Sequence, residues 1–239
     1  MLCVSLNYLH QNGNRYIYVQ MFIDFHTHYD RQLPNLINLQ TFDVTTVLQG
    51  VDLPNTCSLG LHPWFIDERW EDAWQNLEAL ASLEQVVAIG ECGLDRHIDL
   101  PIEKQIMIFQ KHLELAESIR KPLVIHCVRA FAELIALKKR SKSSVPWIIH
   151  GFHKKIEVFQ QLLRHDFYFS FGVAILNDRD PVIQAIANVP DGKFLLETDD
   201  QQDLSIKQIY DRVVTLRQVS LETLQTQLLE TYHQLTRLC

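Results

Sequence analysis

The chain has 239 residues, of which 47% are hydrophobic and 21% charged, and its formal net charge is −7. That composition excludes disorder and collagen-like repeats. No apolar run reaches the roughly 20 residues of a membrane span, and no basic stripe of the kind that grips long duplex nucleic acid is visible.

Residues 1–21 show neither clean periodicity nor helix caps and read as an N-terminal appendage of no assigned function. They lack the basic flank, apolar core and small-residue cleavage site of a signal peptide. Residues 22–239 are expected to form one barrel domain, since an α/β barrel typically takes roughly 250 residues. Short β-rich runs are predicted at 22–26, 44–49, 56–61, 86–90, 122–126, 146–150, 167–171 and 193–198. Several are apolar on both faces, as buried parallel strands should be. Helical patterns at 70–83, 102–120, 131–139, 155–163, 181–187, 205–219 and 221–238 separate the later strands and close the chain. This alternation predicts an α/β fold, a (β/α)8 TIM-like barrel. Its crossovers around strands 1–3 should be shortened. Residues 29–43 and 50–55 have no room for a full helix, and Pro34 and Pro54 oppose one. Five cysteines (Cys3, Cys57, Cys92, Cys127, Cys239) show no CxxC spacing and leave one unpaired. Reduced thiols in a cytoplasmic protein are the expectation.

Ligand-type residues fall at the C-terminal ends of these strands, where barrel enzymes build their sites. Strand one ends in His26-Thr27-His28, and residues two apart on a strand point to one face. Asp24 lies on the same face and is expected to orient a ligand histidine. Strand four ends in Glu91, strand five in His126, strand six in His150 and strand eight in Asp199. A lone histidine after an apolar run is ordinarily a packed or surface imidazole; convergence from five strands on one pole is not what chance placement produces. The set suits two divalent metals: His26 and His28 with Asp199 for one, His126 and His150 for the other, and Glu91 between them. Such ligands favour zinc, manganese or iron over magnesium. Two such ions can generate hydroxide and stabilise attacking and leaving oxygens. Their charge outweighs that of two carboxylates and a hydroxide, so an anionic phosphoester is the natural substrate.

The strings Phe22-Ile-Asp-Phe-His-Thr-His28, Gly60-Leu-His-Pro63, Ala88-Ile-Gly-Glu-Cys-Gly-Leu-Asp95, His112-Leu-Glu-Leu-Ala116, Lys121-Pro-Leu-Val-Ile-His126 and Leu196-Glu-Thr-Asp199 resemble the TatD family of metal-dependent deoxyribonucleases. The likeness runs from about residue 22 to 200. It implies a binuclear hydrolase that cleaves phosphodiester bonds in DNA ends, short oligonucleotides or small phosphodiesters with metal-activated hydroxide. Carried over by motif, the metal ligands are His26, His28, Glu91, His126, His150 and Asp199, with Asp199 and Glu91 also catalytic. No membrane association and no protein partner is evident. Two alternatives are an amidohydrolase-like enzyme cleaving C–N or ester bonds and a non-catalytic metal- or nucleic-acid-binding relative. The first would be expected to carry a carbamylated lysine where Glu91 stands.

The chain departs from the family's pattern. The family places an arginine two residues after the strand-five histidine; here Arg129 comes three after His126. His150 is followed by Gly151-Phe-His-Lys154, and the proline-rich loop after strand eight is replaced by Asp200-Gln-Gln-Asp203. His62 is expected to bind a phosphate oxygen or protonate the leaving group, and Arg129 and His153 to contact substrate. Trp64, beside the mouth, is expected to pack against the thinned wall, with stacking on a base as the alternative. Asp95 and Glu197 should serve supporting roles, and Cys92 and Cys127 should be small buried residues. His10, His97, His112, His165 and His233 have no partner spacing and are expected on surfaces.

Overall fold

The computed structural model describes residues 20–31, 33–48 and 50–236. The N-terminal appendage thus lies outside the described residues except for Gln20 and Met21. Eight strands follow one another in a single sheet in sequence order, each parallel to the next. They are β1 (Phe22–Thr27), β2 (Leu36–Asp43), β3 (Cys57–Gly60), β4 (Val86–Asp95), β5 (Leu123–Val128), β6 (Trp147–Ile149), β7 (Phe167–Phe171) and β8 (Phe194–Leu196). Eight helices accompany them: α1 (Val44–Val47), α2 (Trp70–Leu80), α3 (Ile102–Ile119), α4 (Phe131–Ser141), α5 (Ile156–Leu163), α6 (Val182–Asn188), α7 (Ile206–Arg217) and α8 (Leu221–Thr236). The strands are apolar on both faces because one face fills the barrel and the other meets helices. Trp147, buried between Phe109 of α3 and Phe167 of β7, shows the second interface.

The second strand differs from the sequence expectation. Residues 44–49 carry a β-branched run, yet Val44–Val47 forms a single helical turn and the strand is Leu36–Asp43. Asp43 decides this. Its Oδ1 accepts the Thr45 backbone N–H at 2.9 Å and the Thr45 hydroxyl at 2.5 Å, and this N-cap starts a turn that propensity alone disfavours. Among the described residues the first crossover holds no helix and the second only α1, so the wall is thin at β1–β3.

Strands β8 and β1 meet through one bridge, Thr27 with Asp199. Two backbone bonds flank it, Asp199 N–H to the His26 carbonyl (2.8 Å) and His28 N–H to the Asp199 carbonyl (3.1 Å). Below the bridge, side chains replace the missing ladder. The Tyr210 hydroxyl of α7 accepts the Ile23 N–H at 3.0 Å and donates to the Ile23 carbonyl at 3.4 Å. Asp24 takes the Thr198 N–H (2.9 Å) and hydroxyl (2.6 Å). Above it, Arg31 donates to the Gln201, Leu204 and Gln202 carbonyls at 2.6, 2.8 and 3.3 Å. Buried backbone groups need partners, and here a tyrosine, an aspartate and an arginine supply them.

Helix α3 braces the strand ends that carry the site. Gln105 exchanges hydrogen bonds with the backbone of Asp95 (2.7 and 2.9 Å). His112 accepts the Leu61 N–H at Nε2 (3.1 Å) while Nδ1 bonds the Ile108 carbonyl (2.9 Å). Contrary to the sequence expectation, His112 is buried, because α3 turns this imidazole inward as a polar strut beneath His62. His97 is exposed, His165 and His233 are partly buried, and His10 lies outside the described residues. Cys92 and Cys127 are buried as expected.

Two predictions follow from these struts. Burial holds the His112 imidazole down at about 4, against the lesser pull of the Ile108 carbonyl. Between pH 6.5 and 4 the unfolded chain therefore binds a proton that the folded chain refuses, so acid removes stability over that window. The loss by pH 4.5 is about 2–3 kcal/mol, and His112→Gln should show a correspondingly smaller drop in urea titrations at pH 7 and 4.5. Tyr210→Phe leaves the Ile23 N–H buried without a partner and should lower unfolding free energy by about 1–3 kcal/mol in the same assay.

Candidate metal centre

Strand β1 delivers His26 and His28 to one face, His26 fully buried and the His28 side chain 46% exposed. Strand β4 runs past its neighbours and places Glu91 at the barrel axis. It lies so close to β5 that side chains cannot intervene: a Cβ on Gly93, opposite His126 in register, would lie 1.9 Å from the His126 carbonyl oxygen. Gly93 also sits at φ 151°, where a side chain is disfavoured. Strand β5 carries His126. His150 follows directly on β6, and Asp199 comes three residues after β8, in the left-handed conformation (φ 52°) that aspartate tolerates.

These side chains converge. Glu91 Oε1 is 2.7 Å from His150 Nε2, 3.2 Å from His126 Nδ1 and 3.2 Å from His62 Nε2, and Oε2 is 3.4 Å from His26 Nε2. Asp199 Oδ1 stands 3.5 Å from Nε2 of both His26 and His28. Three overlapping groups offer ligand atoms within 4.8 Å of one another: His26, His28 and Glu91; His26, His150 and Asp199; His62, Glu91 and His126. His62 therefore joins the cluster itself, a placement that strand-end reasoning left outside the ligand set.

The chemistry of the donors fits cations. Nδ1 of His26 and Nδ1 of His150 are buried without a hydrogen-bond partner among the described residues, and His26 Nε2 meets its carboxylates only at 3.4 and 3.5 Å, a costly state unless something electron-poor occupies the space. The His26 and His150 rings lie 4.2 Å apart. Burial and His150 push the His26 imidazole down, but Asp199 and Glu91 outweigh them and raise it to about 9. Burial likewise opposes charge on His150, yet Glu91 and Glu197 hold it well above the usual range. Glu91 is held well below its usual value, since His150, His126 and His26 overcome the effect of burial. Asp199 is held low by His26 and His28 against the same effect.

Supporting residues orient these donors. His126 Nε2 lies 3.1 Å from Asp95 Oδ2, which also accepts the Trp64 indole N–H at 2.7 Å. A proton on Nε2 leaves the Nδ1 lone pair directed to the cluster. Glu197 accepts the Gly151 N–H at 2.6 Å, fixing the residue after His150. Asp24 does not orient a histidine as expected; it holds Thr198 and so the backbone before Asp199. Burial lifts its carboxyl to about 7 against the Thr198 bonds. Asp43, at the end of β2, is a support that no short motif signals; its Oδ2 accepts the His62 N–H at 2.7 Å.

The cluster opens into a cavity of about 360 Å³. It is lined by His28, His62, His126 and His150, the carboxylates Asp43, Glu91, Asp199 and Asp200, and the aromatic rings of Tyr29, Phe42, Trp64 and Phe65. Arg129 is exposed at the end of β5 and lies outside this lining, as does His153, whose Nδ1 bonds the Gly151 carbonyl at 2.7 Å. Trp64 does not pack against the thin wall; it is 62% exposed. Among the described residues, no helix is long and apolar enough to cross a membrane.

The chain resembles known proteins. The uncharacterized metal-dependent hydrolase YabD of Bacillus subtilis (strain 168) is 32% identical over 169 residues, 66% of this chain and 65% of its own length. The 3'-5' ssDNA/RNA exonuclease TatD of Edwardsiella piscicida is 33% identical over 154 residues, 61% of this chain and 58% of its own. The chain thus spans less than two thirds of the length of these curated relatives. The crystal structure of YJJV, a TATD homolog from Escherichia coli k12, superposes with a TM-score of 0.75 over 90% of this chain and 98% of that one. At 23% identity it bears on the fold alone. The family model described as TatD related DNase matches residues 23–237, nearly the whole chain. The chain belongs to the TatD-related DNase family.

Proposed function

We propose that this protein is a metal-dependent hydrolase of phosphodiester bonds, acting on DNA ends, short oligonucleotides or small phosphodiesters. One observation carries the reading: among the described residues lining the cavity there is no lysine or arginine, while imidazoles and carboxylates crowd it. A phosphate cannot enter an acidic cavity without added positive charge. His26, His28 and Asp199 would hold one divalent ion, His126 and His150 a second, with Glu91 between them. Histidine nitrogens and carboxylate oxygens suit zinc, manganese or iron better than magnesium. Bound there, such ions supply Lewis acidity and lower the pKa of water.

The chain's own residues have separate tasks. Asp199, its side chain 32% exposed and its pKa held low, is ionised at the cavity floor and can accept a proton from attacking water. Glu91, shielded from solvent, holds the imidazoles in place. His62 accepts the Trp64 N–H at Nδ1 (3.1 Å), so its proton sits on Nε2, 3.2 Å from Glu91. Burial keeps this imidazole below its usual value, so it is neutral, and its single N–H faces Glu91; a leaving oxygen would be served only by taking over that hydrogen bond. Arg129 and His153, outside the lining, would reach only a neighbouring part of a longer substrate. The relative named as a 3'-5' ssDNA/RNA exonuclease supports a nucleic acid as the class of substrate.

Two measurements test this. Purified protein should carry close to two transition-metal ions per chain by elemental analysis. Chelation should abolish cleavage of a short oligonucleotide and lower the melting temperature, because a ligand bound to the native state stabilises it. Cleavage that survives complete metal removal would overturn the mechanism. With no lysine or arginine in the lining, only about one phosphate would be neutralised, by the bound ions, so kcat/KM on a short single strand should change only about threefold between 50 and 200 mM salt. A strong preference for long duplex DNA that collapses as salt rises would contradict it.

A further inference from the structure

Trp64 is 62% exposed, whereas Trp70, Trp74 and Trp147 are 8% or less. Its exposure is not looseness. Pro63 opens a 3-10 turn (Pro63–Phe65) capped by His62, whose Nδ1 accepts the Trp64 backbone N–H. The indole N–H is tied to Asp95 at 2.7 Å. The ring stands perpendicular to His62 (5.1 Å between centroids, 89°) and near-perpendicular to His126 (5.9 Å, 75°). Phe65, next in the chain, is 49% exposed and 5.9 Å from His62. A large aromatic surface is thus held rigidly in water at the rim of the cavity that contains Glu91 and Asp199.

Resting on the phosphodiesterase reading, we propose that Trp64, with Phe65 beside it, is the stacking platform for an unpaired nucleobase next to the scissile phosphate. A nucleotide carries its base one sugar away from its phosphate, and Trp64 stands one imidazole away from the carboxylate–histidine cluster. A flat, apolar, π-bearing group covers such a surface well, and stacking accepts any base because each has a π-face. Because the indole is already locked by Asp95, stacking orders little that was free, which lowers its entropic cost. The base must be unpaired and unstacked to offer its face, since in a duplex its neighbours cover it. With no lysine or arginine in the lining, stacking is also the contact that distinguishes a nucleotide from any other phosphodiester.

The test compares a single-stranded oligothymidylate with a base-free sugar–phosphate chain of equal length, both phosphorothioate-linked to slow hydrolysis. The wild-type protein should bind the oligothymidylate about 5- to 150-fold more tightly, with quenching of tryptophan emission that the base-free chain does not cause. Trp64→Ala should lose that advantage, while Trp64→Phe, which keeps an aromatic face and loses the N–H, should retain most of it. Equal binding of the two chains by the wild type would overturn the inference. So would a Trp64→Phe variant as weak as Trp64→Ala, which would make Trp64 a positioning residue acting through Asp95 on His126. Turnover separates the two readings. Base-dependent binding without cleavage of the ordinary phosphodiester sinks the phosphodiesterase reading and leaves the stacking inference standing. Cleavage without base-dependent binding does the reverse.

Discussion

One buried carboxylate, Glu91, is within 3.4 Å of four imidazoles that arrive from β1, β5 and the ends of β3 and β6. Removing a carboxylate from water is expensive unless charge and hydrogen bonds compensate it, and the surrounding strands are arranged to supply that compensation. Gly93 lets β4 and β5 approach until His126 reaches Glu91. His112 and Gln105 of α3 hold the ends of β3 and β4 in place. Asp95 turns the far nitrogen of His126 outward. Each support fixes the direction of a donor side chain rather than adding a donor, and direction is what metal coordination would require.

The seam between β8 and β1 carries the other half of the site. A closed barrel needs no edge strands, yet β8 is only Phe194–Leu196 and cannot pair along β1. Tyr210, Asp24 and Arg31 close the gap with side-chain bonds to backbone. The single bridge that remains joins Thr27, between His26 and His28, to Asp199. Closing the barrel and bringing these three donors together are therefore one structural event. The thin wall at β1–β3 leaves room on the same side for Tyr29, Phe42, Trp64 and Phe65 to line the cavity.

The cavity's electrostatics follow from what is missing as much as from what is present. Carboxylates from β2, β4 and the segment after β8 line it, with no lysine or arginine among the lining residues described. The same carboxylates raise the His26 and His150 imidazoles against the effect of burial.

The sequence by itself determined the barrel, the pole at which ligand-type residues gather, and the identities of His26, His28, Glu91, His126, His150 and Asp199, because strand periodicity and strand-end chemistry are local properties. Its one misplaced strand arose where β-branched propensity at Val44–Val47 lost to the Asp43 cap. Only the tertiary structure decided the rest. His112 looked like a surface histidine until α3 turned it inward, and Asp24 looked like a partner for histidine until the seam gave it Thr198. His62 entered the cluster through the reach of Glu91, Asp43 gained its role from a residue 19 positions away, and Trp64 proved exposed where packing was expected. These outcomes depend on which distant chain segments face one another, and that is set by the closing of the barrel, not by any pattern along the chain.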